Sequence, residues 1–229
     1  MKQMVTLLIA ILFLAACGGT AVSPTPVPPS AAEPAAPAAA DSATTQTFTV
    51  VPAESQASYI VDEEFLVDAL SKLGINAGQV VVVGTTPGVS GEIKLDFEQA
   101  DWVQAAQFTV DMTGLRTDQD RRDNWLRDNA IQTDRFPQAT FVKTAVSGLP
   151  ASYSEGEEVT FEMTGDLTVR DVTRPVTFVV TAVLTGDTLQ GTATTRLNLS
   201  DLGITPPNFA NTLTVADPFA IEVSLTARK

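Results

Sequence analysis

The chain has 229 residues, 44% of them hydrophobic and 18% charged, which suits a folded globular body rather than a disordered one. Its net charge of −13 makes nucleic-acid phosphates and anionic headgroups poor electrostatic partners, and the lack of histidine removes the commonest general base and metal ligand. One cysteine, Cys17, excludes an intrachain disulfide.

Lys2 precedes an apolar run from Val5 to Leu14, and small residues follow, the layout of a secretory signal. The run is too short for a bilayer span, which takes about 20 residues. Leu14-Ala15-Ala16-Cys17 resembles a bacterial lipobox, which implies cleavage after Ala16 and acylation of Cys17. Residues 1–16 are thus expected to be a lipoprotein signal peptide, and 17–45 a lipidated cysteine with an Ala/Pro-rich tether. The 28 residues after Cys17 include nine Ala and six Pro but no aromatic residue, too little apolar surface to fold alone. Such a tether averages roughly 30 Å as a coil and reaches about 85 Å as polyproline II. The expected location is extracytoplasmic, anchored to the cell membrane or, across a periplasm, to the outer membrane.

From Gln46 to Lys229 the period is mostly two. Asp62–Gly74 interrupts it: Phe65, Leu66, Ala69, Leu70 and Leu73 follow helical spacing, although the first turn can equally extend the strand at Tyr59. Val80–Val83 is a continuous apolar run, read as a strand buried on both faces. Val89, Ile93, Leu95 and Phe97 then alternate with Ser90, Glu92, Lys94 and Asp96. Phe108, Val110 and Met112 repeat the pattern. A charged helix is predicted over 117–129, capped by Thr117, with Asp118 and Asp120 in the first turn and Trp125 and Leu126 on its apolar side. Val159, Phe161, Met163, Leu167 and Val169 alternate with polar residues. So do Leu189, Ala193 and Leu197, and then Phe219, Ile221, Val223 and Leu225. Arg170–Thr173 and Thr185–Thr188 read as hairpin turns. One-sided strands with short connections imply antiparallel sheet, closed as a barrel or packed as a tight sandwich to remove exposed edges.

Arg121–Asp128 (RRDNWLRD), Phe136–Phe141 (FPQATF), Thr164–Phe178 (TGDLTVRDVTRPVTF) and Asp201–Ile204 (DLGI) stand in order, and together they resemble the YceI-like family of bacterial lipid-binding proteins. The resemblance implies an all-β fold, an eight-stranded antiparallel lipocalin-like β-barrel with one or two short helices, over 46–229. It also implies an elongated apolar interior for a polyisoprenoid or other long-chain amphiphile. The absence of histidine and the insertion-like Asp62–Gly78 depart from the family pattern near the pocket mouth.

An eight-stranded barrel is wide enough either to be filled by its own side chains or to hold one small ligand. Phe108, Met112, Trp125, Leu126, Phe141, Phe161, Met163 and Leu167 are the residues expected to line it. Arg121, Arg122, Asp123 and Arg127 either fix the helix onto the barrel by charge-assisted hydrogen bonds or meet a headgroup. Asp118, Asp120 and Asp123 lack the glycine turn and bidentate acid of a calcium loop, so no metal is expected. No nucleophile elbow, P-loop or dinucleotide fingerprint is present. A non-catalytic lipid carrier or buffer, with no cofactor beyond a bound isoprenoid, is one reading. A solid-cored envelope or stress interaction lipoprotein, working through its outer polar strand faces or the helix at 117–129 and favoured by exposed aromatics around Trp102 and Trp125, is the other. Hollowness of the barrel separates them.

Overall fold

The structure is a computed structural model, and it describes residues 44–65, 78–209 and 212–229. The signal, Cys17 and nearly all of the tether lie outside the described residues. The described strands are β1 (Gln46–Val50), β2 (Gln56–Phe65), β3 (Gly78–Thr86), β4 (Val89–Leu95), β5 (Val103–Asp111), β6 (Gln138–Ser147), β7 (Val159–Val169), β8 (Val172–Thr185), β9 (Thr188–Asn198), β10 (Asn208–Phe209) and β11 (Leu213–Arg228). All pairings are antiparallel.

These segments make eight staves. β1 and β2 are one stave kinked by the 3-10 turn Pro52–Glu54, because both pair along β11, Val50 opposite Ala227 and Gln56 opposite Ser224. β3 and β4 are likewise one stave broken at Pro87-Gly88, running beside β2 and then β1. Each later stave pairs with its sequence neighbour, and β1 on β11 closes the ring. The result is an up-and-down barrel rather than a sandwich, and closure leaves few free edges.

The alternation read from the sequence sets which face is inside. β7 buries Val159, Phe161, Met163, Leu167 and Val169, while Thr160, Thr164 and Thr168 face outward. These hydroxyls pair across to β8 at Thr181, Thr177 and Thr173, at 3.1, 2.8 and 2.9 Å. The inward position 165 is glycine because a Cβ there would lie 2.4 Å from the Phe141 ring. The turn after β7 is tight, with Val169 paired to Val172 and Arg170 at φ 58°.

Three expectations change. Asp62–Phe65 is strand rather than helix: it continues the inward series Ala57, Tyr59, Val61 and pairs with both β3 and β11, so sheet pairing overrides helical spacing. The remainder of that proposed helix, 66–74, lies outside the described residues. Val80–Val83 is not covered on both sides: Val82 is buried, but Val81 is 61% exposed. Helix α1 (Asp120–Trp125), continued as a π turn (Leu126–Ala130), has Gln119 rather than Thr117 at its cap position. Thr117 instead gives its N–H and hydroxyl to the Asp123 carboxylate, at 2.8 and 2.7 Å.

The two ends of the barrel differ. At the base, the 95–103 and 147–159 connections bring Phe97, Trp102 and Tyr153 together with Phe161, with Phe97 stacked on Tyr153 at 5.2 Å. The Tyr153 hydroxyl donates to the Leu184 carbonyl at 3.0 Å and accepts from the Leu184 N–H at 2.8 Å, which fixes this plug to β8. At the other end, the mouth, lie α1, β10 and the 3-10 turn Leu199–Leu202.

Candidate functional site

The inward faces do not meet. They enclose a cavity of about 1010 Å³ that reaches from Phe97 and Trp102 at the base to Trp125 and Phe209 at the mouth. The reason lies in side-chain size. β5 presents Phe108 and Val110, whereas β9, four staves round the ring, presents Gly191 and Ala193. β8 adds Val180 and Ala182. Large residues on one wall thus face small ones on the other, and the middle stays open.

All eight residues proposed for the lining stand on the cavity wall: Phe108, Met112, Trp125, Leu126, Phe141, Phe161, Met163 and Leu167. Phe141 meets Phe178 edge-on at 5.2 Å and lies beside Phe108 at 6.5 Å, so these rings brace one another along the wall. Trp125 packs on Phe209 at 5.4 Å and holds α1 at the mouth. Trp102 is 5% exposed and donates its indole N–H to the Pro150 carbonyl. An interaction surface built on exposed Trp102 is therefore absent, and the interior is not the solid core that the alternative reading needs.

The charged residues of the helix separate by role. Arg122 grips Glu63 of β2 with two hydrogen bonds of 3.0 Å, Nε to Oε1 and Nη2 to Oε2. Its Nη1 donates to Asp118 at 2.5 Å and to the Thr117 hydroxyl at 3.2 Å. Burial works against the Arg122 charge, but the hydrogen bonds and charges of Glu63 and Asp118 outweigh it and raise the guanidinium pKa. Asp123 is buried and ties Thr117 to the helix. Arg122 and Asp123 thus anchor α1 to the barrel. Arg121 reaches the mouth, while Arg127 lies off the cavity wall and bonds Asn124. Among the described residues no cluster of acids could hold a metal ion.

Two wall residues were not singled out from the sequence. Glu63, 5% exposed, points inward and, among the described residues, is the partner that anchors Arg122 to the barrel wall. Its signal was present, because an acid at an inward position of the Ala57-Tyr59-Val61 series requires a buried cation. Tyr59 lies flat over Gly84 of β3, where a Cβ would come within 2.1 Å of its ring. Burial pushes the Tyr59 hydroxyl well above the usual phenol range, against the pull of the Arg122 cation. In alkaline titration, Tyr59 is therefore expected to stay protonated past the ordinary phenol value of 10.0, and Tyr59→Phe to remove the late-ionising phase. The unfolded chain sheds this proton first, so native stability should fall as pH rises above that value. A late phase that survives in Tyr59→Phe would refute the assignment.

Comparison with known proteins agrees with this geometry. The chain is 32% identical over 164 residues to a UPF0312 protein of Pseudomonas putida (strain GB-1), covering 66% of this chain and 78% of that protein. It is 32% identical over 105 residues to protein YceI of Shigella flexneri, covering 45% of this chain and 50% of that protein. Among solved structures, a polyisoprenoid binding domain from Saccharophagus degradans, implicated in plant cell wall breakdown, superposes with a TM-score of 0.60 at 15% identity, covering 79% of this chain and 97% of that one. Burkholderia cenocepacia BcnA superposes at 0.57 with 21% identity, covering 77% and 98%. At these identities the superpositions speak for the fold. Residues 48–227, nearly the whole barrel, match the YceI-like domain, and the chain belongs to that family.

Proposed function

We propose that this protein is an extracytoplasmic, lipid-anchored carrier or buffer that holds a polyisoprenoid or other long-chain amphiphile in its barrel and performs no chemistry on it. The observation that carries this reading is the open apolar cavity of about 1010 Å³. If a hydrocarbon carbon takes about the 30 Å³ share of a liquid water molecule, the space suits a chain of roughly thirty carbons. It lies at the upper end of the usual range for small-molecule pockets, about 300–1,000 Å³. The polyisoprenoid-binding relative with the same fold supports a lipid of this class.

Energetics favour exchange over capture. Each isoprene unit gains roughly 3–4 kcal/mol on leaving water, but a bilayer offers nearly the same gain. Incubated with vesicles containing a polyprenol, the protein is expected to take up a measurable share rather than all or none. No uptake over a range of lipid ratios would count against a carrier.

The anchor reading rests on the lipobox-like LAAC and the Ala/Pro-rich stretch after it. Labelling cells with a radioactive or clickable fatty acid is expected to mark the wild-type protein and leave Cys17→Ala unmarked. An unlabelled wild type would remove the anchor.

A further inference from the structure

We infer that the cavity selects amphiphiles whose head is uncharged and accepts a hydrogen bond, seated against the Tyr59 hydroxyl, and that it discriminates against phosphorylated heads. This rests on the carrier reading and narrows its ligand class.

The argument starts from charge. Among the described residues that line the cavity, four carry a charge near neutral pH: Glu63, Asp118, Arg121 and Arg122. Two are acids and two are bases, so the wall offers no net positive charge. The base nearest the interior, Arg122, is already committed. Its Nε and Nη2 are held by Glu63, and its Nη1 by Asp118 and Thr117. To bind a phosphate, Arg122 would have to release a bidentate partner. Glu63, only 5% exposed, would then be left as a buried carboxylate without its counter-charge. Asp123, buried on the helix, has one carboxylate oxygen with no partner; Arg127 Nη1 and Arg170 Nε are likewise buried without a hydrogen-bond partner, but both residues lie off the cavity wall. Arg121 is the cation left over, but it is exposed on the helix beside Asp118 and Asp120, so its charge is screened by water. A diphosphate entering the mouth would lose its hydration without finding cations enough to replace it.

Tyr59 offers the opposite chemistry. Its ring is set on the wall by Gly84, and its hydroxyl has no hydrogen-bond partner among the described residues. Burial holds it protonated, so it remains a donor. In a wall that is otherwise mostly hydrocarbon, a free donor next to a sealed ion pair favours a neutral oxygen, such as that of an ester, ketone or ether. A wall that offers an unoccupied donor favours a ligand that uses it over one that does not.

The test compares ligands that share one branched isoprenoid carbon skeleton, unsaturated in the acetate and diphosphate and saturated in phytane. Geranylgeranyl acetate, geranylgeranyl diphosphate and the hydrocarbon phytane are each titrated into the delipidated, purified full chain without added divalent cation. The acetate is expected to bind at least about tenfold more tightly than the diphosphate. Tyr59→Phe should weaken the acetate by about fivefold and leave phytane unchanged. A diphosphate that binds as tightly as the acetate would overturn the inference while leaving the carrier reading intact. Acetate binding untouched by Tyr59→Phe would overturn the assignment to Tyr59. Failure of all three to bind would overturn the carrier reading and this inference with it.

Discussion

Tryptophan at both Ala182 and Ala193 is expected to abolish binding of long-chain lipid while leaving the barrel folded. The two residues stand on β8 and β9 and face the cavity. Two indoles at mid-height would displace at least two isoprene units. At roughly 3–4 kcal/mol each, that loss exceeds a hundredfold in affinity from water. The control lies in stability. In a filled core, two such enlargements would force clashes costing about 1–3 kcal/mol apiece. In a cavity of about 1010 Å³ they add contacts instead, so the urea midpoint should stay near wild type or rise. Collapse of the fold would indicate that the interior has no room to give.

Arg122→Leu should be the most destabilising single change at the mouth. It leaves Glu63 buried with no cation, a situation that typically costs about 3–5 kcal/mol. Glu63→Leu should be milder, because Arg122 keeps Asp118 and the Thr117 hydroxyl. The double Leu variant should recover much of the loss, because removing a buried pair whole is often nearly neutral. Equilibrium denaturation of the three variants checks the order. Equal losses in both singles with no recovery in the double would mean that the pair is not coupled as its geometry indicates. Beyond stability, Arg122→Leu should loosen α1 and with it the contact of Trp125 on Phe209.

Much of the barrel was legible because period-two alternation reports the inside and outside of a one-sided sheet. Val89, Ile93 and Leu95, or Phe161, Met163 and Leu167, could be placed inward without coordinates, and the structure puts them there. What alternation cannot report is the space between the faces. The same inward phenylalanines would suit a solid core. Hollowness depends on which wall stands across from which, and thus on Gly191 and Ala193 facing the β5 side, a property of ring order rather than of any one strand. The mouth was harder for a related reason. Phe65 and the residues after it carry helical spacing, yet the ladder to β3 and β11 keeps Asp62–Phe65 extended and turns Glu63 inward. Thr117 is not the cap because the helix starts at Asp120 and the Thr117 hydroxyl turns to donate to the Asp123 carboxylate. Val80–Val83 looked doubly buried by composition, but Val81 and Val83 lie on the outer face of the barrel, where no described element covers them.

Native mass spectrometry of the full chain, purified gently from its own cells and again after incubation with polyprenols, tests the hollow-carrier reading most directly. One long-chain lipid per protein, lost from the Ala182→Trp/Ala193→Trp variant, is the expected result. A ligand-free mass in every sample, including those challenged with polyprenols, would contradict it.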